Sequence, residues 1–326
     1  MDRMIKNREI DLETIRNVAV IGAGLMGHGI AQVFAQKDYL VTLYDLNHAI
    51  LAKALSQIRS NLETFVEMGF ETKERVEKVL SNIRISVDLK EAVKRVQFVI
   101  EAVYEDLMLK MNLFEELDRY CPREAILASN TSTFPISEIG RKVKGKERLV
   151  ITHWFNPPYI IPTVEVVRGE STSEEVFQIS YQLMKKIGKR PIKVLKEIPG
   201  FLINRIQTAM IREILSLLEQ GVAVPEDIDE GVRGSFGLRL GVLGPLRTMD
   251  MGGLDIVSSS IKYLYPLIDR SVEVQSVLRK KIEQGHLGLK TGEGFFRYQQ
   301  EGTPASSKPS QDRDKKLLSL LRMNVK

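Results

Sequence analysis

Four histidines occur in the chain, and one stands where an acid–base group is useful. His153 closes a strand-like run, LVITHW, and an Asn-Pro-Pro turn follows it. In open α/β sheets, ligands bind beyond the carboxyl ends of strands. Twelve residues on, Glu165 lies inside a second apolar run, TVEVV. A carboxylate among valines is costly unless it has a partner, and an imidazole on the adjacent strand would supply one. Paired in this way, Glu165 orients the ring and stabilises its protonated form, which makes His153 a general base near neutral pH. The spacing alone is met equally well by a core histidine satisfied by backbone and a glutamate at a strand edge. His28 and His48 read as surface or capping residues, and His286 sits in a glycine-flanked loop with no assigned role.

A second chemical signal lies upstream, in Gly22-Ala-Gly24-Leu25-Met26-Gly27, between an apolar run at 18–21 and a helical pattern reaching about residue 37. Gly22 allows a tight turn, Gly24 lets the backbone approach a pyrophosphate, and Gly27 lets helix and strand pack closely. Leu25 and Met26 open the helix, whose free N–H groups and partial positive charge favour phosphates. Asp45 ends the next apolar run, 21 positions after Gly24. A carboxylate there binds both ribose hydroxyls and repels a 2′-phosphate, so NAD is expected rather than NADP. No metal is expected.

These residues require a sheet to hold them. The unit from residue 17 to residue 47 reads as β-α-β. Further strands are predicted at 98–103, 125–129, 149–154, 163–167 and 192–194, with helices between them, as at 110–120 and 174–187. That alternation predicts a mainly parallel sheet covered on both faces. Residues 49–80 read as two charged helices broken at Gly69, a helical hairpin projecting from the sheet. Beyond residue 200 the spacing of apolar residues by three and four, as in FLINRIQTAMIREILSLLEQG, predicts helices alone. The expected organisation is an N-terminal extension at 1–16, a Rossmann-like domain at 17–197, a helical domain at 198–300, and a flexible linker with a terminal helix, KKLLSLLRM, at 301–326. At 326 residues with 43% hydrophobic and 27% charged residues the chain has globular composition. Its net charge of +5 suits a small anionic ligand without requiring nucleic acid. The single cysteine, Cys121, points to the cytoplasm, and no segment reads as a membrane span or a signal peptide.

IGAGLMGHGIA, EAVYEDLMLK, ASNTSTFPISEI, HWFNPP…VEVV, PGFLINRI and LGLKTGEGFF, in that order, resemble the L-3-hydroxyacyl-CoA dehydrogenase family along nearly the whole chain. The resemblance implies an α/β Rossmann-like NAD-binding domain and an all-α C-terminal domain that commonly forms a homodimer. It decides the histidine question in favour of a dyad: His153 matches the catalytic base and Glu165 its acidic partner. Ser132 matches the serine touching substrate and nicotinamide, and Asn204 the asparagine completing the catalytic group. Glu105 and Lys110 match positions lining the nicotinamide side, although an exposed ion pair on a helix would also explain them. Asn156 and Lys290 match further cofactor contacts.

The family's coenzyme A contacts include a serine and a lysine on the hairpin, where this chain carries Ala54 and Asn61. Arg59 or Lys73 could supply the missing charge. The Trp-Phe-Asn-Pro-Pro stretch is more similar to the lambda-crystallin and L-gulonate 3-dehydrogenase branch. The expected activity is NAD-dependent interconversion of a 3-hydroxy and a 3-oxo acyl group. A short 3-hydroxyacyl-CoA of fatty acid metabolism is the first choice of substrate and a free 3-hydroxy acid the second. A non-catalytic NAD-binding protein, crystallin-like, is the competing class. No nucleic acid or membrane partner is expected.

Overall fold

The computed structural model describes residues 11–298 and 308–324. The described chain divides into two compact units, one running through Asn204 and resuming at Arg313, the other spanning Arg205–Asp312. The first is built on one eight-stranded sheet in the order β3-β2-β1-β4-β5-β6-β7-β8. The strands are β1 (Asn17–Ile21), β2 (Leu40–Tyr44), β3 (Ile83–Ser86), β4 (Phe98–Glu101), β5 (Ile126–Ser129), β6 (Leu149–Trp154), β7 (Thr163–Val167) and β8 (Arg190–Val194). All neighbours are parallel except β6 and β7, which run antiparallel.

Both faces of the sheet are buried, which is why its strands read as continuous apolar runs. Along β1, Val18 and Val20 join one core cluster while Ala19 and Ile21 join the other. In β6, Val150 and Trp154 lie on the first side, Leu149 and Ile151 on the second. Helices α1 (Gly27–Gln36), α2 (His48–Glu67), α3 (Lys73–Ser81), α4 (Leu89–Val93), α5 (Leu107–Tyr120), α6 (Ile136–Ile139) and α7 (Glu174–Lys186) connect the strands. Their starts follow local chemistry: the side chains of Asn47, Asp106 and Ser173 accept from backbone N–H groups in the first turns of α2, α5 and α7.

The hairpin is α2 and α3, and the break between them includes Gly69 at φ +69°. Leu51, Ala54, Ile58 and Leu62 recur at helical spacing and share a core cluster with Phe34 and Trp154. One face of α2 is therefore packed on the body of the unit.

The second unit contains α8, which spans Ile203–Glu219 and so begins just before it, then helices Pro225–Val232, Pro245–Gly252, Leu254–Leu264 and Ser276–Glu283. The last helix, Lys308–Asn324, starts well before the KKLLSLLRM segment. Of the predicted linker, residues 301–307 lie outside the described residues, and 308–314 are helical. Within this helix Asp314 and Leu318 are buried, which the polar composition of 308–314 does not reveal.

Candidate active site

The glycine turn has the geometry its spacing requires. Gly22 sits at φ +100°, and a Cβ there would lie 2.7 Å from the Ala102 carbonyl. A Cβ on Gly27 would fall 1.7 Å from the Gly22 oxygen, so only glycine allows this turn to close. At Gly24 a Cβ would meet nothing within 4 Å, which leaves the open approach a pyrophosphate needs. No side chain caps the first turn of α1 at Met26, which leaves this helix start without a competing side-chain oxygen where an anion would sit. Leu25 is exposed beside it. Asp45 bridges this turn to the end of β2: its carboxylate accepts from the N–H groups of Ala23 at 2.8 Å and Leu46 at 2.7 Å. Gly22, Gly24 and Asp45 line a cleft together with the apolar side chains of Leu46, Leu89, Val103 and Leu109. Open space, donors, a carboxylate and an apolar wall fit a dinucleotide. His28, expected as a surface or capping residue, is buried in the first turn of α1, where its Nδ1 lies 2.8 Å from the Gly24 carbonyl and burial pushes its pKa down.

The antiparallel β6–β7 register sets His153 directly opposite Glu165. Nδ1 of His153 and Oε2 of Glu165 are 2.6 Å apart, and both side chains are buried. Glu165 Oε1 accepts from the N–H groups of Leu202 at 3.1 Å and Ile203 at 2.9 Å, at the start of α8. Every oxygen of a buried carboxylate therefore has a partner. With Nδ1–H donating to Glu165, Nε2 of the neutral ring presents its lone pair. Phe155 and Phe201 flank the ring at centroid distances of 4.7 and 5.7 Å. Phe201 holds φ +50°, an uncommon conformation for a bulky residue, in the turn leading to the amides that hold Glu165.

The loop after β5 arrives beside this pair. Asn130 Oδ1 accepts from the N–H of Trp154 at 2.9 Å. Glu105 Oε1 gathers Thr131 Oγ1 at 2.5 Å and the backbone N–H groups of Ser132 and Thr133 at 3.0 and 3.1 Å. Asn204 Nδ2 donates to the Ser132 carbonyl at 3.2 Å. Glu105 is fixed in turn by Lys110, whose Nζ lies 3.2 Å away. Lys110 is fully buried and reaches Glu101 at 2.6 Å; Glu101 also accepts from Ser129 Oγ at 2.5 Å. Lys110 is thus no helix-surface residue. Glu101, which sequence reasoning missed, anchors the network, and a lone carboxylate in the apolar run FVIE was the signal that could have found it.

The structure brings His153, Glu165, Ser132, Asn204, Glu105 and Lys110 into one hydrogen-bonded neighbourhood. Asn156 is exposed on the loop after β6. Lys290 is exposed in the Arg205–Asp312 unit. On the hairpin, Ala54 and Asn61 are buried; Asn61 is hydrogen-bonded to Gln32 and Gln57. Arg59 forms a two-pronged pair with Glu77 across the hairpin, and Lys73 is exposed at the start of α3.

A glycine turn at the switch of a doubly wound sheet, with a histidine near the carboxyl end of β6 backed by a glutamate on the antiparallel β7, defines a nicotinamide-dependent dehydrogenase. The comparisons make the class specific. The family model described as "3-hydroxyacyl-CoA dehydrogenase, NAD binding domain" matches residues 17–198, and "3-hydroxyacyl-CoA dehydrogenase, C-terminal domain" matches residues 200–298. The chain belongs to the 3-hydroxyacyl-CoA dehydrogenase family and is an NAD-dependent oxidoreductase. It is 38% identical over 291 residues to a probable 3-hydroxybutyryl-CoA dehydrogenase of Bacillus subtilis, covering 88% of this chain and 99% of that one. It is 35% identical over 311 residues to 5-formyl-3-hydroxy-2-methylpyridine 4-carboxylate 5-dehydrogenase of Mesorhizobium japonicum, covering 95% and 98%. A solved structure of an enzyme of that name, an NAD+-dependent dismutase, superposes with a TM-score of 0.86 at 33% identity, covering 95% and 98% of the two chains.

Proposed function

We propose that the chain oxidises a free 3-hydroxy acid to the 3-oxo acid, and catalyses the reverse, rather than acting on a short 3-hydroxyacyl-CoA of fatty acid metabolism. His153 Nε2 takes the hydroxyl proton, Glu165 holds the ring that receives it, and the Ser132 hydroxyl and the Asn204 amide, of the residue types the reaction needs, would hold the substrate oxygen. NAD, when bound, supplies the acceptor for the hydride. Glu105 and Lys110 hold the Ser132 loop in register on the nicotinamide side, and Asp45 selects NAD.

One observation carries the choice of free acid over coenzyme A thioester: of the hairpin positions that would touch coenzyme A, two are buried and Arg59 is already paired, which leaves Lys73 alone exposed and unassigned to a partner on the hairpin. Ala54 and Asn61 are buried, and Glu77 already occupies the Arg59 fork. The pyridine carboxylate named by one relative, with no coenzyme A in that name, supports the same reading, since that relative matches 95% of the chain against 88% for the 3-hydroxybutyryl-CoA enzyme. The test compares kcat/KM for acetoacetyl-CoA in NADH oxidation with that for free 3-oxo acids, and runs 3-hydroxybutyrate and L-gulonate in the oxidative direction. The expected result is turnover of a free acid at least about tenfold above its thioester counterpart. Acetoacetyl-CoA outperforming every free acid would overturn the choice of carrier and leave the reaction type intact. A second part of the proposal is that the enzyme acts as a homodimer in the cytoplasm; the buried Cys121, its thiol pKa pushed up to about 12 by burial, is an inert thiol in keeping with a reducing compartment.

A further inference from the structure

From Arg313 onward the last helix belongs to the same compact unit as the dyad. Its Asp314 is only 7% exposed, and Oδ2 accepts from the Tyr159 hydroxyl at 2.6 Å. The other oxygen takes Arg313 Nε at 2.9 Å and Nη2 at 2.7 Å. Leu318 is buried with Phe65 and Ile160. Lys315 pairs with Glu67 at 2.8 Å, and Arg322 lies over the Phe70 ring and donates to the Met68 carbonyl. The helix is thereby fastened both to the hairpin and to the loop 155–161, which continues directly from the strand bearing His153.

That loop is gripped from two further sides. Lys189 Nζ donates to the carbonyls of Pro158 at 2.5 Å and Ile161 at 2.8 Å and lies over the Trp154 ring at 5.0 Å. On α1, a Cβ at Gly29 would come within 2.6 Å of Pro158 and 2.8 Å of Tyr159. The helix that cradles the cofactor phosphates can approach this loop because residue 29 has no side chain.

We propose that Tyr159 and Asp314 are positioning residues for the reaction: the last helix, through their hydrogen bond, locks loop 155–161 and with it the setting of His153 against α1. The proposal rests on the dyad reading and not on the choice of substrate. A tyrosine on an unconstrained surface loop would hydrogen-bond water; this one meets a nearly closed carboxylate already held by arginine. Withdrawing either partner leaves a part-buried oxygen without its protein partner, which favours moving the loop toward water. Phe155, at the start of the loop, packs on the His153 ring at 4.7 Å, so a moved loop changes the imidazole's setting. Proton transfer is sensitive to such displacement even when binding is not.

The test uses full-length Tyr159→Phe, Asp314→Ala, Asp314→Asn and the Tyr159→Phe/Asp314→Ala double variant. Each is assayed with whichever carrier the wild type turns over, and NADH affinity is measured by fluorescence. The expected result is a fall in kcat on the order of tenfold for Tyr159→Phe and Asp314→Ala, with the Kd for NADH unchanged within about twofold. Asp314→Asn keeps an acceptor oxygen and should recover most of the turnover. The double variant should be no slower than the slower single one, because both remove the same bond. Full turnover in both single variants overturns the proposal, as does loss of turnover that merely tracks loss of NADH binding. His153→Ala, run alongside, separates the two readings. If it is fully active, the dyad fails and this proposal with it; if it is inactive beside fully active Tyr159 and Asp314 variants, the proposal alone fails.

Discussion

Gly24 and Asp45 divide the recognition of a dinucleotide between space and charge. One leaves room for the pyrophosphate, and the other places a carboxylate at the end of β2, tied to the turn by the Ala23 amide. Asp45→Ala should relax the preference for NAD(H) over NADP(H), which is expected to be at least about tenfold, or roughly 1.4 kcal/mol. Cofactor KM values for both forms check this; unchanged discrimination would remove Asp45 from the selecting role. The contrast between Glu165 and Glu101 shows how far sequence reasoning reaches at this scale. Both are lone acids in apolar runs, yet only the first was read, because a histidine twelve residues away suggested its partner. Lys110 was matched with Glu105 to the nicotinamide side, and the two do pair, but its burial and its second partner nine residues away, Glu101, could not be seen without the fold.

Among the elements, the β-α-β start, the hairpin break at Gly69 and the helical texture beyond residue 200 were all visible as periodicity. The reversal between β6 and β7 was not, because TVEVV carries no mark of direction, yet that reversal puts His153 opposite Glu165. β3 was missed because IRIS is short and half polar. Lys189 was also missed, since its partners are carbonyls of a loop about thirty residues upstream. Its burial lowers its pKa to about 7. An unfolded lysine titrates near about 10.4, so between these values the unfolded chain holds a proton that the folded chain has released. Through this group stability should rise with pH from about 7 to about 10, and the cost of the buried charge is greatest below about 7. Lys189→Met should flatten that rise in Tm measured against pH, and an unchanged profile would contradict the assignment.

At the scale of the whole molecule, the Arg205–Asp312 unit exposes a run of large apolar side chains on its own surface. Leu254, Ile256, Tyr263 and Leu264 of one helix are all at least 50% exposed, as are Leu246 and Met251 of the preceding one. Exposed apolar side chains in this number favour an association site. We propose that it forms the homodimer contact. Light scattering should give twice the chain mass, and Ile256→Asp should shift it toward the monomer; a monomeric wild type would contradict the proposal. Among the described residues no helix is long and apolar enough to cross a membrane.

The account as a whole depends on His153 working as the base with Glu165 behind it. The most direct measurement is turnover of His153→Ala and Glu165→Gln across pH, beside NADH affinity. The account predicts that His153→Ala loses on the order of 10²–10⁴ in kcat with cofactor binding retained. Glu165→Gln should also be slow, with a shifted or flattened pH profile. Near-full turnover in His153→Ala, with NADH still bound, would show the histidine to be structural and contradict the mechanism.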